Sequence, residues 1–323
     1  MKVWQIETIR GAPVLASRSV PVPAKGESVV RVMAAGLNFA DLLMIDGTYQ
    51  ACPPLPYVPG LEFAGVVEAM GAETSGTARG TRVLGTCGFG ALSEFICVPT
   101  ARLVPLPDQM SFDEAAGFPI AYGTSHLALG HKARLQPGET LFVTGAAGGV
   151  GLTAVEIGKR LGARVIASAR GAERLAVARA AGADVLIDSD APGLKEALRA
   201  EGGADVVYDT VGGPAFDAAL RACKPDGRLL TIGFASGEVP QIPANLLLVK
   251  NLTVTGFWYG GYEAHAPDLV AASMAELLRW RAAGLIRPHA GRVLPFEAFP
   301  EGLALLRGRK ATGKVVIRVG QAP

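Results

Sequence analysis

The chain has 323 residues, half of them hydrophobic, and is long enough for two domains with apolar cores. Its 31 basic and 29 acidic side chains give a formal charge of +2 without a basic run. This balance disfavours a nucleic-acid or membrane-surface role and favours a small-molecule ligand. No segment is apolar enough to cross a membrane, and Met1–Gln5 enters a predicted strand rather than a signal peptide, so we expect a cytosolic protein.

The cysteines and histidines lack the spacing of metal sites. Four of each are scattered along the chain without CxxC or HxxxH patterns. The sequence therefore predicts neither a zinc site nor a disulfide framework.

The N-terminal third is predicted to be rich in β-strands. Short apolar runs such as Ser28–Met33, Phe63–Ala69 and Phe95–Pro99 are separated by glycine and proline. A capping box at Ser111–Glu114 then predicts the start of a helix. From this point strands and helices alternate.

The most informative segment is a glycine turn, Gly145–Gly151, directly after the apolar run Thr140–Thr144. A strand that ends in such a turn and opens a helix can hold backbone N–H groups against a pyrophosphate. A purely structural turn is the alternative. The helix expected next is supported by apolar residues at helical spacing, ending near Gly162.

The alternation predicts an α/β fold with a doubly wound parallel sheet of the Rossmann type. Its six strands are predicted near Leu141, Val165, Val185, Val206, Leu229 and Val254. After about Gly260 the pattern becomes a loop, an amphipathic helix at Leu269–Ala283 and a last strand, Lys314–Val319. We predict one β-rich domain formed by residues 1–115 and 261–323, and a dinucleotide-binding domain at 116–260.

The end of the second strand of this sheet bears on the choice of dinucleotide. An acidic residue at this position usually binds the ribose hydroxyls of NAD. This strand ends instead in Ser168, Ala169 and Arg170, and Arg174 follows one helical turn later. Arg170 and Arg174 can pair with a 2′-phosphate and Ser168 can donate to it, so NADPH is favoured over NADH. Simple solvation of both arginines is the alternative.

Two further segments, Ala35–Asp41 and Pro59–Gly65, together with the glycine turn, resemble the medium-chain dehydrogenase/reductase superfamily. Within it the chain is similar to the zinc-independent quinone oxidoreductase branch, which includes ζ-crystallin. The resemblance implies a GroES-like β-rich catalytic domain. Zinc-dependent members have a cysteine where this chain has Asn38 and a histidine where it has Leu61, and Asn and Leu cannot supply the thiolate and imidazole that zinc requires.

The resemblance also implies roles for individual residues. Asn38 would lie close to the nicotinamide, Asp41 would organise its loop, and Tyr49 would be either a proton donor or a packing residue. The implied cofactor-binding residues are Asn38, Thr124, Ala147, Gly148, Gly149, Val150, Val211, Gly212, Gly233 and Phe234, in addition to Ser168, Arg170 and Arg174. The chain departs from some members at Leu43 and Ser189, where those members have tyrosines.

These features predict an NADPH-dependent oxidoreductase that transfers hydride to a quinone or an α,β-unsaturated carbonyl compound without zinc. A 2-enoyl-thioester reductase and a non-catalytic NADPH-binding protein are the alternatives. The aromatic residues Phe257, Trp258, Tyr259 and Tyr262 form either a substrate lid or part of a core. The family resemblance implies a homodimer.

Overall fold

In a computed structural model, residues 1–74 and 77–320 are described. The chain divides into two units, one formed by Met1–Ile120 with the segment from Pro288 onward, the other by Ala121–Arg287. The strands are β1 (Lys2–Gln5), β2 (Val14–Ser17), β3 (Glu27–Leu37), β4 (Glu62–Met70), β5 (Arg82–Thr86), β6 (Phe95–Pro99), β7 (Leu103–Pro105), β8 (Thr140–Val143), β9 (Arg164–Ala169), β10 (Val185–Asp188), β11 (Ala204–Asp209), β12 (Cys223–Thr231), β13 (Thr253–Gly256), β14 (Ala290–Pro295) and β15 (Lys314–Arg318).

The α-helices are shorter on average in the first unit than in the second. They are α1 (Phe39–Ile45), α2 (Phe112–Ala116), α3 (Pro119–His126), α4 (Gly149–Arg160), α5 (Gly171–Ala180), α6 (Leu194–Ala200), α7 (Gly213–Ala222), α8 (Ala244–Lys250), α9 (Tyr259–His265), α10 (Pro267–Ala282) and α11 (Phe299–Arg307). A π-helical segment, Leu127–Lys132, continues α3. The predicted capping box is confirmed at α2, where the Ser111 hydroxyl accepts from the Glu114 N–H.

The first unit is built on a mostly antiparallel sheet with strand order β14-β15-β3-β4-β5-β7, and β6 also pairs with β3. The long strand β3 is buried along almost its whole length because the residues from Val29 to Leu37 are apolar except for Arg31. Its end lies between the starts of β15 and β4, with Val315 opposite Leu37 and Glu62 opposite Gly36. The predicted last strand thus joins the N-terminal sheet, as the sequence indicated.

The second unit contains a parallel sheet with strand order β10-β9-β8-β11-β12-β13. This confirms the six predicted strands and the doubly wound fold. All four residues of the central strand β8 are buried, as expected for a strand covered by helices on both faces. The order reverses at β8, and ligands of such sheets bind at the carboxyl ends of the strands at this point.

The division into units differs from the predicted one over residues 116–120, which the structure groups with the first unit, and over residues 261–287, which it groups with the second. Contacts of α10 explain the second difference. The His126 ring packs edge-on against Trp280 at 5.0 Å between ring centroids and is 2.7 Å from the Ser273 hydroxyl. The Arg160 guanidinium lies over the same indole at 5.4 Å. Helix α10 therefore contacts α3 and α4, which amphipathic spacing alone could not indicate.

Among the helices of the described residues, none combines the length and apolar character that crossing a bilayer requires.

Candidate active site

Asn38 is the N-cap residue of α1, at the point where β3 ends. The Asp41 carboxylate, three residues later, accepts from the Asn38 backbone N–H at 2.8 Å and from the Gly60 N–H at 3.1 Å. Asp41 therefore ties the start of α1 to the segment before β4, which is the loop-organising role that the resemblance implied. Burial raises the pKa of Asp41 to about 6, although its backbone donors and the nearby Lys314 ammonium act in the opposite direction.

The Asn38 side chain is 7% exposed and belongs to a buried polar cluster. Lys314 Nζ donates to Leu37 O, Asn38 Oδ1 and Glu62 Oε1, each at 2.7 Å. Asn38 Nδ2 donates to the same Glu62 oxygen at 2.9 Å. The cluster thus joins the end of β3 to the first residues of β4 and β15. We refer to Asn38, Glu62 and Lys314 as the Asn–Glu–Lys cluster.

Glu62 is the anion of this cluster and is fully buried. Its second oxygen, Oε2, accepts from the Ile120 N–H at 2.9 Å, so both carboxylate oxygens are paired. Gly36 provides the space, because a Cβ on it would lie 2.3 Å from Ala116 O and 2.8 Å from Glu62 Oε1. A buried charge pair of this kind is tolerated only when its hydrogen-bonding capacity is satisfied.

Leu61 and Tyr49 lie in the same unit. Both are partly buried and pack against its apolar core. Tyr49 lies on the turn after α1, where its backbone N–H donates to Leu43 O at 3.2 Å. Within residues 1–74 and 77–320, no group of three or more His, Cys, Asp or Glu side chains is arranged to hold a metal ion.

The glycine turn joins β8 to α4 in the second unit. Gly145 has a φ of +60°, and a Cβ on it would lie 2.5 Å from Thr210 Oγ1. A Cβ on Gly151 would lie 2.2 Å from Gly145 O, so only glycine fits there. The other predicted residues of the turn lie at the start of α4, namely Ala147, Gly148, Gly149 and Val150. The turn is thus closely packed and leads into a helix N-terminus, the kind of place at which proteins bind a pyrophosphate.

The loops after β11 and β12 meet beside this turn. The Asp209 carboxylate, fully buried, accepts from Gly212 N–H at 2.9 Å and from the Thr144 hydroxyl at 2.6 Å. Ser236 N–H donates to Val211 O at 2.8 Å, which ties the two loops together. Burial raises the pKa of Asp209 against these donors. The structure therefore brings the predicted residues of both loops, Val211, Gly212, Gly233 and Phe234, to the same end of the sheet as the glycine turn.

Thr124 lies on α3, and its neighbour Ser125 connects this helix to the start of α4. The Ser125 hydroxyl donates to Val150 O at 3.0 Å and shares hydrogen bonds with the hydroxyls of Thr153 at 2.7 Å and Tyr208 at 2.9 Å. All three hydroxyl residues are buried. This uncharged network fixes the position of Thr124 relative to the glycine turn.

Two of the three residues predicted for the 2′-phosphate are on the surface. Arg170 is exposed at the N-cap of α5, Arg174 is half-buried one turn later, and Ser168 is 2% exposed at the end of β9. The structure adds Asp188, at the end of the adjacent strand β10, whose carboxylate accepts from Gly171 N–H at 3.1 Å. Backbone donation from Asp190 and Gly171 lowers the pKa of Asp188, so a negative charge lies beside Gly171, the residue that follows Arg170.

The aromatic segment after β13 is mostly buried within the second unit. Phe257, Tyr259 and Tyr262 are each less than a tenth exposed, whereas Trp258 is 44% exposed. Tyr259 packs so closely on Gly123 that a Cβ there would lie 2.4 Å from its ring. The packing role is therefore correct for three of the four residues.

Sequence reasoning missed Glu62, Lys314, Asp188 and Asp209 as parts of these sites. Glu62 lay within a recognised motif, which was the available signal. A lysine at the start of a predicted strand carries no such signal, because most lysines are solvated.

Comparisons with known proteins agree with this architecture. The family described as "Alcohol dehydrogenase GroES-like domain" matches residues 24–108, and "Zinc-binding dehydrogenase" matches residues 149–276. A quinone oxidoreductase-like protein 2 homolog of Nematostella vectensis is 38% identical over 319 residues, 96% of this chain and 87% of that protein.

Solved structures match over nearly the full length. The quinone oxidoreductase of Thermus thermophilus, also determined in complex with NADPH, is 36% identical, with a TM-score of 0.88 over 99% of this chain and 100% of that one. The Escherichia coli quinone oxidoreductase, complexed with NADPH, is 26% identical, with a TM-score of 0.91 and the same coverage. The chain therefore belongs to the medium-chain dehydrogenase/reductase superfamily, in its quinone oxidoreductase branch, which confirms the resemblance seen in the motifs.

Proposed function

We propose that the chain is an NADPH-dependent oxidoreductase that reduces a quinone or an α,β-unsaturated carbonyl compound without zinc. NADPH supplies the hydride when it is bound. Support comes from the glycine turn of the second unit and from relatives that were solved with NADPH. A cytosolic homodimer is part of the same proposal.

The observation on which the proposal mainly rests is the hydrogen bonding of the Asn38 carboxamide. Its oxygen accepts from the Lys314 ammonium at 2.7 Å and its nitrogen donates to Glu62 at 2.9 Å. A carboxamide held in this way is an organising group rather than a metal ligand, and the neighbouring Leu61 offers no donor atom. Without a Lewis acid, the suitable acceptors are those whose developing negative charge is delocalised, which describes quinones and enones.

The proposal assigns a role to each predicted site residue. In the second unit, the backbone of Ala147, Gly148, Gly149 and Val150 binds the pyrophosphate, while Ser168, Arg170 and Arg174 bind the 2′-phosphate. Thr124, Val211, Gly212, Gly233 and Phe234 contact the nicotinamide half of the cofactor. Asn38 and Tyr49 are the catalytic residues of this proposal, and Tyr49 protonates the product enolate when the acceptor is an alkene.

A turnover screen with quinones, enones and enoyl thioesters tests the reaction class. Turnover of quinones or enones with NADPH is expected, and NADPH binding without turnover of any acceptor would contradict an enzymatic role. A preference for enoyl thioesters would assign the chain to the related reductases instead.

Tyr49→Phe tests the proton donor, with Tyr57→Phe as the matched control in the core of the same unit. We expect Tyr49→Phe to lower turnover of enones by about 100-fold and to leave quinone turnover unchanged, because a quinone product needs no dedicated acid. Unchanged rates with both acceptors would remove Tyr49 from the mechanism.

A further inference from the structure

The Asn–Glu–Lys cluster of the first unit holds the Asn38 side chain in a single orientation. Lys314 Nζ has three hydrogens and makes three hydrogen bonds of 2.7 Å, to Leu37 O, Asn38 Oδ1 and Glu62 Oε1. An ammonium with this set of partners has no hydrogen left for a ligand. Lys314 therefore has no hydrogen bond to offer a ligand, and its direct hydrogen bonds act on the groups that it holds.

The carboxamide of Asn38 cannot be reversed in this environment. Its oxygen faces the Lys314 ammonium, which only donates, and its nitrogen faces the Glu62 carboxylate, which only accepts. A flip would place N–H groups against the ammonium and the oxygen against the carboxylate. Both contacts would then be repulsive, so the charges on Glu62 and Lys314 specify the orientation of an uncharged side chain.

One hydrogen of this carboxamide remains exchangeable. Asn38 Nδ2 carries two hydrogens, and its second contact, to Gly36 O, is long at 3.4 Å. Hydrogen bonds of this length are weak, so a ligand oxygen can replace this acceptor at little cost. The second Nδ2–H of Asn38 is thus the hydrogen-bond donor of the cluster with the weakest partner.

The cluster is built from distant parts of the chain, and packing leaves it no freedom. Glu62 and Lys314 are 252 residues apart in sequence. Gly36 and Gly117 make room for it, since a Cβ on Gly117 would lie 3.0 Å from Lys314 Cβ and Cγ. The lysine side chain is 8% exposed and the glutamate side chain 0% exposed. A surface ion pair would not need such accommodation.

From these contacts we infer that Glu62 and Lys314 are a positioning pair, which fixes Asn38 so that its Nδ2–H donates to a carbonyl oxygen of a bound ligand. The inference rests on the proposed function. The carbonyl belongs either to the carboxamide of the cofactor or to the acceptor. In both cases Lys314 and Glu62 act through Asn38 and touch neither molecule.

A double-mutant cycle tests the inference, using Lys314→Met, Asn38→Ala and the double variant. Lys314→Arg tests rescue by a conserved charge, and Lys25→Met removes a surface ion pair with Glu73 as the control. For each protein we would measure the Kd of NADPH, the Kd of 2′,5′-ADP, which lacks the nicotinamide, the kcat and KM of a quinone, and the thermal midpoint.

Each single variant of the cycle is expected to lose about tenfold in one binding or kinetic property, the scale of one lost hydrogen bond. Lys314→Met also lowers the thermal midpoint, because it leaves the Glu62 carboxylate buried without its counterion. A rise in the Kd of NADPH without change for 2′,5′-ADP identifies the cofactor carboxamide as the partner. A loss confined to the kcat or KM of the quinone identifies the acceptor. In either case the double variant should be no worse than Asn38→Ala, Lys314→Arg should recover part of the loss, and Lys25→Met should match the wild type.

Additive losses in the double variant would overturn the inference, and so would equal weakening of NADPH and 2′,5′-ADP or a lower thermal midpoint with unchanged binding and turnover. If Lys314→Met does not fold, the same cycle is run with Lys314→Arg and Asn38→Ala. Failure of the proposed function is visible separately, because wild-type protein would then bind NADPH without turning over any acceptor, while the binding cycle still reports on Asn38.

Discussion

The two functional regions of the molecule are stabilised by different physical means. In the first unit, three adjacent strands bring together a buried anion, a buried cation and a carboxamide, Glu62, Lys314 and Asn38. In the second, the glycine turn is held by close backbone packing and by the uncharged hydroxyls of Ser125 and Thr153. The first arrangement fixes one side chain, whereas the second fixes the path of a length of backbone.

The difference teaches which interactions each chemical task requires. A pyrophosphate is bound by backbone N–H groups at a helix start, which need close approach and therefore glycine. A single side chain that must present one hydrogen bond needs partners that exclude its other orientation. Charged partners do this better than neutral ones. The stability of the cluster then depends strongly on both charged partners, because removing one leaves the other buried and unpaired.

The largest expected effect is the loss of one charge from the first unit. Glu62→Gln leaves the Lys314 ammonium buried without its counterion, so the free energy of unfolding should fall by about 3–5 kcal/mol. The control is Glu68→Gln on the same strand, whose ion pairs with Arg31 and Arg79 are at the surface and whose loss should cost less than about 1 kcal/mol. Denaturant unfolding measures both, and equal losses would show that burial of the pair is unimportant.

The buried Asp41 carboxyl of the first unit predicts that the stability of the protein depends on pH. Its folded pKa of about 6 lies above the ordinary value of 3.8, so the folded protein holds this proton more tightly than the unfolded chain. Stability should therefore fall as pH rises from about 4 to about 6, by roughly 2–3 kcal/mol for this group, and then level off. Denaturant midpoints across this range should show that slope in the wild type and a smaller one in Asp41→Asn. Parallel curves for the two proteins would contradict the assignment.

In the second unit, we expect stability and NADPH binding to be sensitive to added side-chain volume in the glycine turn. Gly151→Ala places a methyl group where the backbone of Gly145 lies 2.2 Å away, and should cost about 1–3 kcal/mol of stability together with most NADPH binding. Gly130→Ala is the control, since a Cβ there meets nothing within 4 Å. Fluorescence titration of NADPH separates the two variants, and undiminished binding by Gly151→Ala would exclude the turn as the pyrophosphate site.

The smallest expected effect concerns the preference between dinucleotides. Replacing Arg170 and Arg174 together by alanine should reduce the preference for NADPH over NADH by about tenfold, because charge-assisted bonds to the 2′-phosphate are lost. The carboxylate of Asp188, already beside Gly171, limits the effect by opposing the phosphate. Arg102→Ala, on the surface of the first unit, is the control. An unchanged preference would mean that both arginines are only solvated.

The second unit was largely predictable from sequence and the centre of the first was not. The strand β8, its glycine turn and α4 are consecutive in the chain. Their hydrophobic periodicity and the glycines between them can therefore be recognised in one short segment of sequence. The motif around Asn38 and Asp41 was recognisable for the same reason. Lys314, however, reaches Asn38 only because β15 pairs with β3, and no local pattern reports such a pairing. The sequence located helix α10 correctly but assigned it to the first unit. Amphipathic spacing identifies the buried face of a helix and not the element against which that face packs.

The most direct test of the account is the oxidation of NADPH by a quinone before and after exhaustive treatment with a zinc chelator. The account predicts the same kcat in both samples, since Asn38 and Leu61 provide no zinc ligand. It also predicts that NADPH is preferred over NADH in both. Loss of turnover on chelation, with recovery on addition of Zn²⁺, would contradict the assignment of this site as one that works through a positioned carboxamide.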